Sequence, residues 1–259
     1  MTKENRSLGM VAAMPQEIAP VLARIKGYAK GNIDGRNLYR FPVNGSCVYL
    51  IESGMGPAQA AAATRALIRH AQPDAILNFG FGGAVLPGLE VGELVLADRV
   101  FRLDQGIIGE LPQPDSALAA LIQDYCAKVG LQLRRGGFIT ACGIRNKGEM
   151  ASRLGGSTAL PLLEMETAAV LEQAQAAGIP LVSVRGVSDA ADEELGFTIE
   201  EFCDANLNLN PWRVAWTISK RPWLIPQLVR LAGNSRRAGK RLALAVELAL
   251  QALTRQTQL

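Results

Sequence analysis

The stretch Leu160–Glu194, LPLLEMETAAVLEQAQAAGIPLVSVRGVSDAADEE, decides how the rest of the chain is read. An apolar run, Leu160–Leu163, ends in two carboxylates, Glu164 and Glu166. The Ala-rich pattern Thr167–Ala177 predicts a helix. Gly178 can close it, because glycine takes the left-handed conformation of a C-cap without steric cost. Pro180–Val187 then reads as a buried strand that ends in Ser188-Asp189. Acids at the ends of buried strands stand where open α/β sheets put their ligand crevices. One isolated acid there more often caps a helix or faces solvent. Two acid-bearing strand ends within one helix-and-strand unit point to a site.

The same alternation extends outward. Leu8–Ala13 suits a central strand, and Met14-Pro15-Gln16-Glu17 follows it, with proline pre-organised to open a helix and Glu17 in its first turn. Leu38–Pro42 and Cys47–Ser53 read as a strand pair across the Asn44-Gly45 turn. Ser53-Gly54-Met55-Gly56-Pro57 is a glycine-rich loop leading into a helix over Ala58–His70; it is either a tight turn or a loop whose amides approach a ligand. The strand Asp74–Gly80 runs into Gly80-Phe81-Gly82-Gly83-Ala84, where the glycines imply close approach of a ligand or of a neighbouring strand. Further strands are expected at Val91–Ala97 and Gly137–Ala141, and helices at Asp115–Val129 and Lys147–Leu154. Strands alternating with helices predict a three-layer α/β/α sandwich with a mixed central sheet, in one domain over residues 1–210.

At 259 residues, 49% hydrophobic and 20% charged, the chain can bury one sizeable core and is neither disordered nor fibrous. No apolar run reaches the roughly 18 to 20 residues needed to span a bilayer. The opening MTKENRSLGMVAAMP is too short in its apolar part for a secretory signal. Cys47, Cys126, Cys142 and Cys203 are scattered, and His70 is the single histidine. Neither a disulfide framework nor a metal site is expected, no cofactor is implied, and the cytoplasm is the expected compartment.

The net charge of +3 hides an asymmetry. From residue 210 onward the chain carries +8, whereas the body before it carries −5. An acidic body argues against nucleic acid as a partner. The extension, residues 211–259, holds Trp212, Trp216 and Trp223, then helical patterns with breaks expected at Pro222, Pro226 and Gly233. Tryptophan beside clustered cations on amphipathic helices is the composition of a membrane-surface element. Helices packed on the body with a solvated basic face fit it equally.

Four segments, taken together, resemble the nucleoside phosphorylase and nucleosidase superfamily, in the branch of methylthioadenosine/S-adenosylhomocysteine nucleosidase. They are Gly9-Met10-Val11-Ala12-Ala13-Met14-Pro15-Gln16-Glu17, Ser53-Gly54-Met55-Gly56, Asn78-Phe79-Gly80-Phe81-Gly82-Gly83, and Glu164-Met165-Glu166 with Arg185-Gly186-Val187-Ser188-Asp189. Their order and spacing match over about residues 8–205. The resemblance implies cleavage of an N-glycosidic bond with release of adenine, by a homo-oligomer of purine nucleoside phosphorylase-like fold. It implies Asp189 as the acid that protonates the purine N7, Ser188 as its orienting partner and Glu17 as the residue that positions or deprotonates water. Glu166 would grip the ribose hydroxyls, Met165 would pack on the sugar, and Gly80, Phe81 and Gly82 would line the substrate site.

This chain carries Phe81 where the nucleosidases have a small hydroxyl residue, and has no arginine between Arg69 and Arg99 to hold phosphate. Water is therefore favoured over phosphate as co-substrate. The basic, Trp-bearing extension, taken with Glu164-Met165-Glu166 and Val187-Ser188-Asp189-Ala190-Ala191-Asp192, resembles the hopanoid-associated phosphorylases, which implies adenosylhopane as substrate and a position peripheral to the inner membrane. The other readings are a phosphate-dependent phosphorylase, a methylthioadenosine/S-adenosylhomocysteine nucleosidase, and a nucleoside-binding relative without catalysis.

Overall fold

A computed structural model describes residues 6–143, 147–154, 156, 158–193, 201–202 and 211–255. Glu194, Cys203 and the first residues of the N-terminal segment lie outside the described residues. The first strands are β1 (Ser7–Ala12), β2 (Ala29–Ile33), β3 (Arg36–Val43), β4 (Ser46–Glu52) and β5 (Ala75–Ala84). The others are β6 (Leu94–Asp104), β7 (Ile107–Glu110), β8 (Arg134–Thr140), β9 (Leu162–Glu164) and β10 (Leu181–Asp189). The helices are α1 (Pro15–Leu22), α2 (Pro57–Ala71), α3 (Ser116–Ala127) and α4 (Lys147–Leu154), then α5 (Thr167–Ala176), α6 (Pro211–Lys220) and α7 (Ile225–Arg255).

Successive side chains of a strand face opposite ways, so a strand covered on both sides must be apolar at nearly every position. β1, β5 and β10 are such strands. Leu8, Met10, Leu77, Phe79, Val182 and Val184 point into one core with α1, α3 and α7. Val11, Ile76, Leu181 and Val187 point into the other, beneath α2 and α5. This is the expected three-layer sandwich with a mixed sheet.

Parallel pairs join β4–β1–β5–β10, β6–β8 and β8–β9, and antiparallel pairs join β2–β3–β4, β6–β7, β6–β10 and β5–β9. The order β10–β6–β8–β9–β5, together with the β10–β5 pairing, closes half of the sheet on itself. That closure was not expected from the strand pattern. It sets the ends of β5, β9 and β10 against one another, which is where the acids lie.

Two strands were missed. β2 is exposed at nearly every position and β7 is short and mostly exposed, so neither shows a hydrophobic alternation to read. The break expected at Gly233 is absent: α7 runs unbroken from Ile225 to Arg255. A single glycine costs a helix only about 1 kcal/mol, less than the packing of Leu242, Val246, Leu250 and Leu253 returns in the first core. The C-terminal half of α7 is thus part of the same core as β1.

Candidate active site

Pro15 opens α1, and Glu17, three residues after the Met14 cap, reaches back to the amides that precede the helix. Glu17 Oε2 accepts from Ala13 N at 2.9 Å and Met14 N at 3.0 Å. Its other oxygen accepts from Phe81 N at 2.8 Å, so one carboxylate ties the end of β1 to the end of β5. Burial pushes the Glu17 carboxyl above its ordinary range, against the pull of the Arg185 charge and three backbone amides. Helix cap and candidate catalytic group are the same side chain.

Arg185 is wholly buried in β10, and it was given no role from the sequence. An arginine inside an apolar strand must find carboxylates, because a lone buried charge costs several kcal/mol. Its Nη2 pairs with Glu164 Oε2, donates to Thr167 Oγ1 at 3.0 Å and to Asn78 Oδ1 at 3.2 Å, and stands 3.5 Å from Glu166 Oε2. No arginine stands beside the glycines of β5, as the sequence showed; the one that reaches them arrives from β10.

The two glutamates at the end of β9 differ. Glu164 accepts from the amides of Glu166 (3.0 Å) and Thr167 (2.8 Å), from the hydroxyls of Thr140 and Thr167, and from Arg185. Burial alone would raise its pKa, but Arg185 and these donors outweigh that and hold it below the ordinary range. Glu166 receives a backbone hydrogen bond from Gly56 N at 3.0 Å, in the glycine-rich loop before α2. Burial raises its carboxyl to about 8; Arg185 pulls it down, while Glu164 and Glu17 push it up. Met165, half-buried, turns between them into α5.

Asp189 ends β10 at an irregularity in its pairing with β5, and such bulges re-aim a side chain. Ser188 Oγ donates to Asp189 Oδ1 at 2.6 Å and reaches Gly82 O at 3.3 Å. The other oxygen of Asp189 pairs with Lys147, the first residue of α4, which also donates to Ala190 O at 2.5 Å. Lys147 was not singled out from the sequence, where nothing in the 41 intervening residues signals the contact.

The glycines of β5 acquire a reason here. A Cβ at Gly80 would sit 2.1 Å from Arg185 Nη1 and 2.5 Å from Glu17 Oε1. At Gly83 it would sit 2.4 Å from Asp189 Oδ2. What approaches the backbone is a set of charged side chains. Phe81 lends its amide to Glu17, while its ring packs into the core and lies near Gly239 of α7. Glu17, Arg185 and Glu166 therefore gather beside Gly80, and Ser188, Asp189 and Lys147 beside Gly83, three residues farther along β5. Among the described residues no cluster of metal-ligating side chains occurs.

The sequence pattern of the phosphorylase superfamily matches residues 7–211. The 5′-methylthioadenosine/S-adenosylhomocysteine nucleosidase of Actinobacillus succinogenes is 30% identical over 208 residues, covering 75% of this chain and 90% of that protein. The structure of the Helicobacter pylori 5′-methylthioadenosine/S-adenosylhomocysteine nucleosidase, bound to a pyrrolopyrimidine-bearing pyrrolidinol, matches with a TM-score of 0.76 at 17% identity, over 95% of this chain and 98% of the other. The futalosine hydrolase of Helicobacter pylori matches with a TM-score of 0.74 at 16% identity, over 95% and 97% of the two chains. At those identities the two structures speak for the shared fold. With the likeness running from the first strand to the start of α6, the chain belongs to the phosphorylase superfamily and to its nucleosidase branch of enzymes.

Proposed function

We propose that this enzyme hydrolyses the N-glycosidic bond of a 5′-substituted adenosine and releases adenine. One arrangement carries the reading: Glu17 and Arg185 gather beside Gly80 with Glu166 next to them, and the Ser188–Asp189–Lys147 unit abuts Gly83 on the same strand. At about 3.3 Å per residue the two groups are spaced about 10 Å along β5. Breaking the bond builds positive charge on the ribose and negative charge on the departing base. The site then needs carboxylates at one end and a proton source at the other.

Glu17, with its raised pKa, is a stronger base toward water than an ordinary carboxylate. Glu166 has acceptor capacity for the ribose 2′- and 3′-hydroxyls that Glu164, saturated with donors, lacks. Met165 borders the sugar end, and Phe81 and Gly82 border the strand between the two groups. Asp189, steadied by Ser188, relays to N7 a proton given up by its partner Lys147, so that the step leaves a neutral lysine and an Asp189 carboxylate.

Water is the co-substrate of this reading. Arg185 is ion-paired with the fully buried Glu164 and further enclosed by Thr167 and Asn78, so its charge is already matched and offers little to a phosphate dianion. The 5′ substituent is assigned to a lipid, adenosylhopane, on the resemblance of the basic extension; methylthioadenosine and S-adenosylhomocysteine, named for the relatives, are the alternatives on the same chemistry. The reading includes a homo-oligomer working in the cytoplasm.

The test is release of free adenine from these three nucleosides, followed with and without phosphate. Adenine at equal rates in both conditions, with no ribose 1-phosphate, is the expected result. Accumulation of the sugar phosphate would make the enzyme a phosphorylase, and no adenine from any of the three would overturn the reading.

A further inference from the structure

Large apolar side chains stand exposed at eight described positions, and five of them fall within one corner: Trp212, Trp216, Trp223, Ile225 and Val229. Trp212 is 84% exposed and Trp223 69%. The corner is folded, because Val214, Leu228 and Leu231 pack inward on Phe202 and Leu224. It therefore has an apolar inner face, which is packed, and an apolar outer face, whose described side chains are largely exposed.

The outer face is patterned. Trp212, Trp216 and Lys220 recur every four residues along α6, and Lys220 Nζ lies 4.3 Å over the Trp216 ring. On α7 one exposed stripe runs Ile225, Val229, Gly233, Arg236, Lys240, apolar first and basic after. From residue 211 to 246 the sequence holds eight lysines and arginines and no acid. Arg221 and Arg230 are occupied by Glu201 and Glu193, Lys220 lies among the tryptophans, and the exposed Arg236 and Lys240 continue the α7 stripe beyond them.

The corner is also coupled to the site. Glu193 pairs with Arg230 at 3.2 Å and accepts from Asn234 at 3.3 Å and from the amide of Ala190, the residue after Asp189, also at 3.3 Å. From Asn234 back to Ile225 is about 14 Å of helix.

We propose that this corner docks on the surface of an anionic lipid bilayer, with the tryptophans at the headgroup boundary and the cations against lipid phosphates. Indole rings favour that boundary, since one end of them is apolar and the other wet. Charge selects the occupant: an isologous contact between two copies would set these cations against themselves, whereas an anionic surface complements them. No described helix is long and apolar enough to cross a membrane, so the segment lies on the surface. Its use, bringing the end of β10 to a lipid-linked nucleoside, rests on the reading proposed above; the docking does not.

The experiment is flotation of the full chain with phosphatidylcholine vesicles and with vesicles carrying three parts in ten phosphatidylglycerol, at low and high salt. Binding is expected to the anionic vesicles and to fall at high salt. A Lys220→Ala/Lys240→Ala variant should bind roughly 25-fold more weakly, at about fivefold per cation near the surface. A Trp212→Ser/Trp216→Ser/Trp223→Ser variant should lose flotation while still releasing adenine from a soluble nucleoside. Absence of flotation by the wild type on anionic vesicles at low salt overturns the proposal. So does a tryptophan variant that floats as well as wild type, or one that merely turns a dimer into a monomer. Adenine release without flotation would leave the catalytic reading standing alone, and flotation without adenine release the docking alone.

Discussion

An acid that must deliver a proton to a leaving group is here ion-paired with a lysine, and that pairing makes a sharp expectation. If Lys147 replenishes the proton of Asp189, Lys147→Met should lower kcat by about 10²-fold, in the range of a positioned acid–base group, with KM changed little. Lys147→Arg keeps the charge but holds its proton. It should stay nearly as slow, whereas a merely structural cation would be rescued by it; steady-state kinetics on both variants separate the two. Asp189→Asn should lose at least as much as Lys147→Met. Arg185 is a different case, because its partner Glu164 is fully buried. Arg185→Met leaves that carboxylate uncompensated and should cost about 3–5 kcal/mol, read as a lowered urea midpoint. The positions of Glu17, Glu164, Glu166 and Asp189 at the ends of apolar runs were legible in the sequence. The contacts of Arg185 and Lys147 were not, since the need of a buried charge for a partner is visible in the chain but the identity of the partner is not.

At the scale of elements, β5 is the informative strand. Its glycines announce a close approach, yet the pattern leaves open whether ligand or neighbour makes it; the structure answers with Arg185, Glu17 and Asp189. Gly80→Ala should therefore displace the guanidinium and the Glu17 carboxylate together and lower kcat by about 10²-fold or more, a loss to be measured beside an intact circular dichroism spectrum. The opposite substitution is available in α7. Gly233 sits within the helix with open space where a β-carbon would stand, so Gly233→Ala should stabilise by about 0.5–1 kcal/mol, seen as a rise in melting temperature of about 2 °C. The sequence expectation of a break at that residue failed for the reason that makes this variant benign: the helix is held by its buried C-terminal half, and the glycine is only a local weakness. β2 escaped notice for a related reason, being a hairpin strand that owes its place to pairing with β3 and buries little.

Over the whole molecule, the α/β/α layering followed from strand and helix periodicity, whereas the closure of β5, β9, β8, β6 and β10 into a ring depends on pairings distant in sequence that no periodicity encodes. That closure concentrates carboxylates where water is excluded, and the cost is expressed as a global dependence of stability on pH. Glu166 has an ordinary value of 4.5 and about 8 in the fold, with burial the largest cause. A folded-state pKa above the unfolded one favours the fold below the unfolded value and loses that contribution as pH rises through the folded one. Between about pH 4.5 and 8 the unfolded chain sheds this proton while the native state keeps it, so stability falls with rising pH across that window. Glu17 acts in the same direction. Glu164, lowered in the fold, acts in the opposite sense and at more acid pH, so it leaves the window clear. Glu166→Gln removes the titrating group, and its unfolding free energy by urea titration should decline less from pH 5 to pH 8 than that of the wild type, although it should lose activity. An equal or steeper decline in the variant would mean that Glu166 is ionised in the free enzyme, and that the ribose-binding carboxylate waits charged for its substrate.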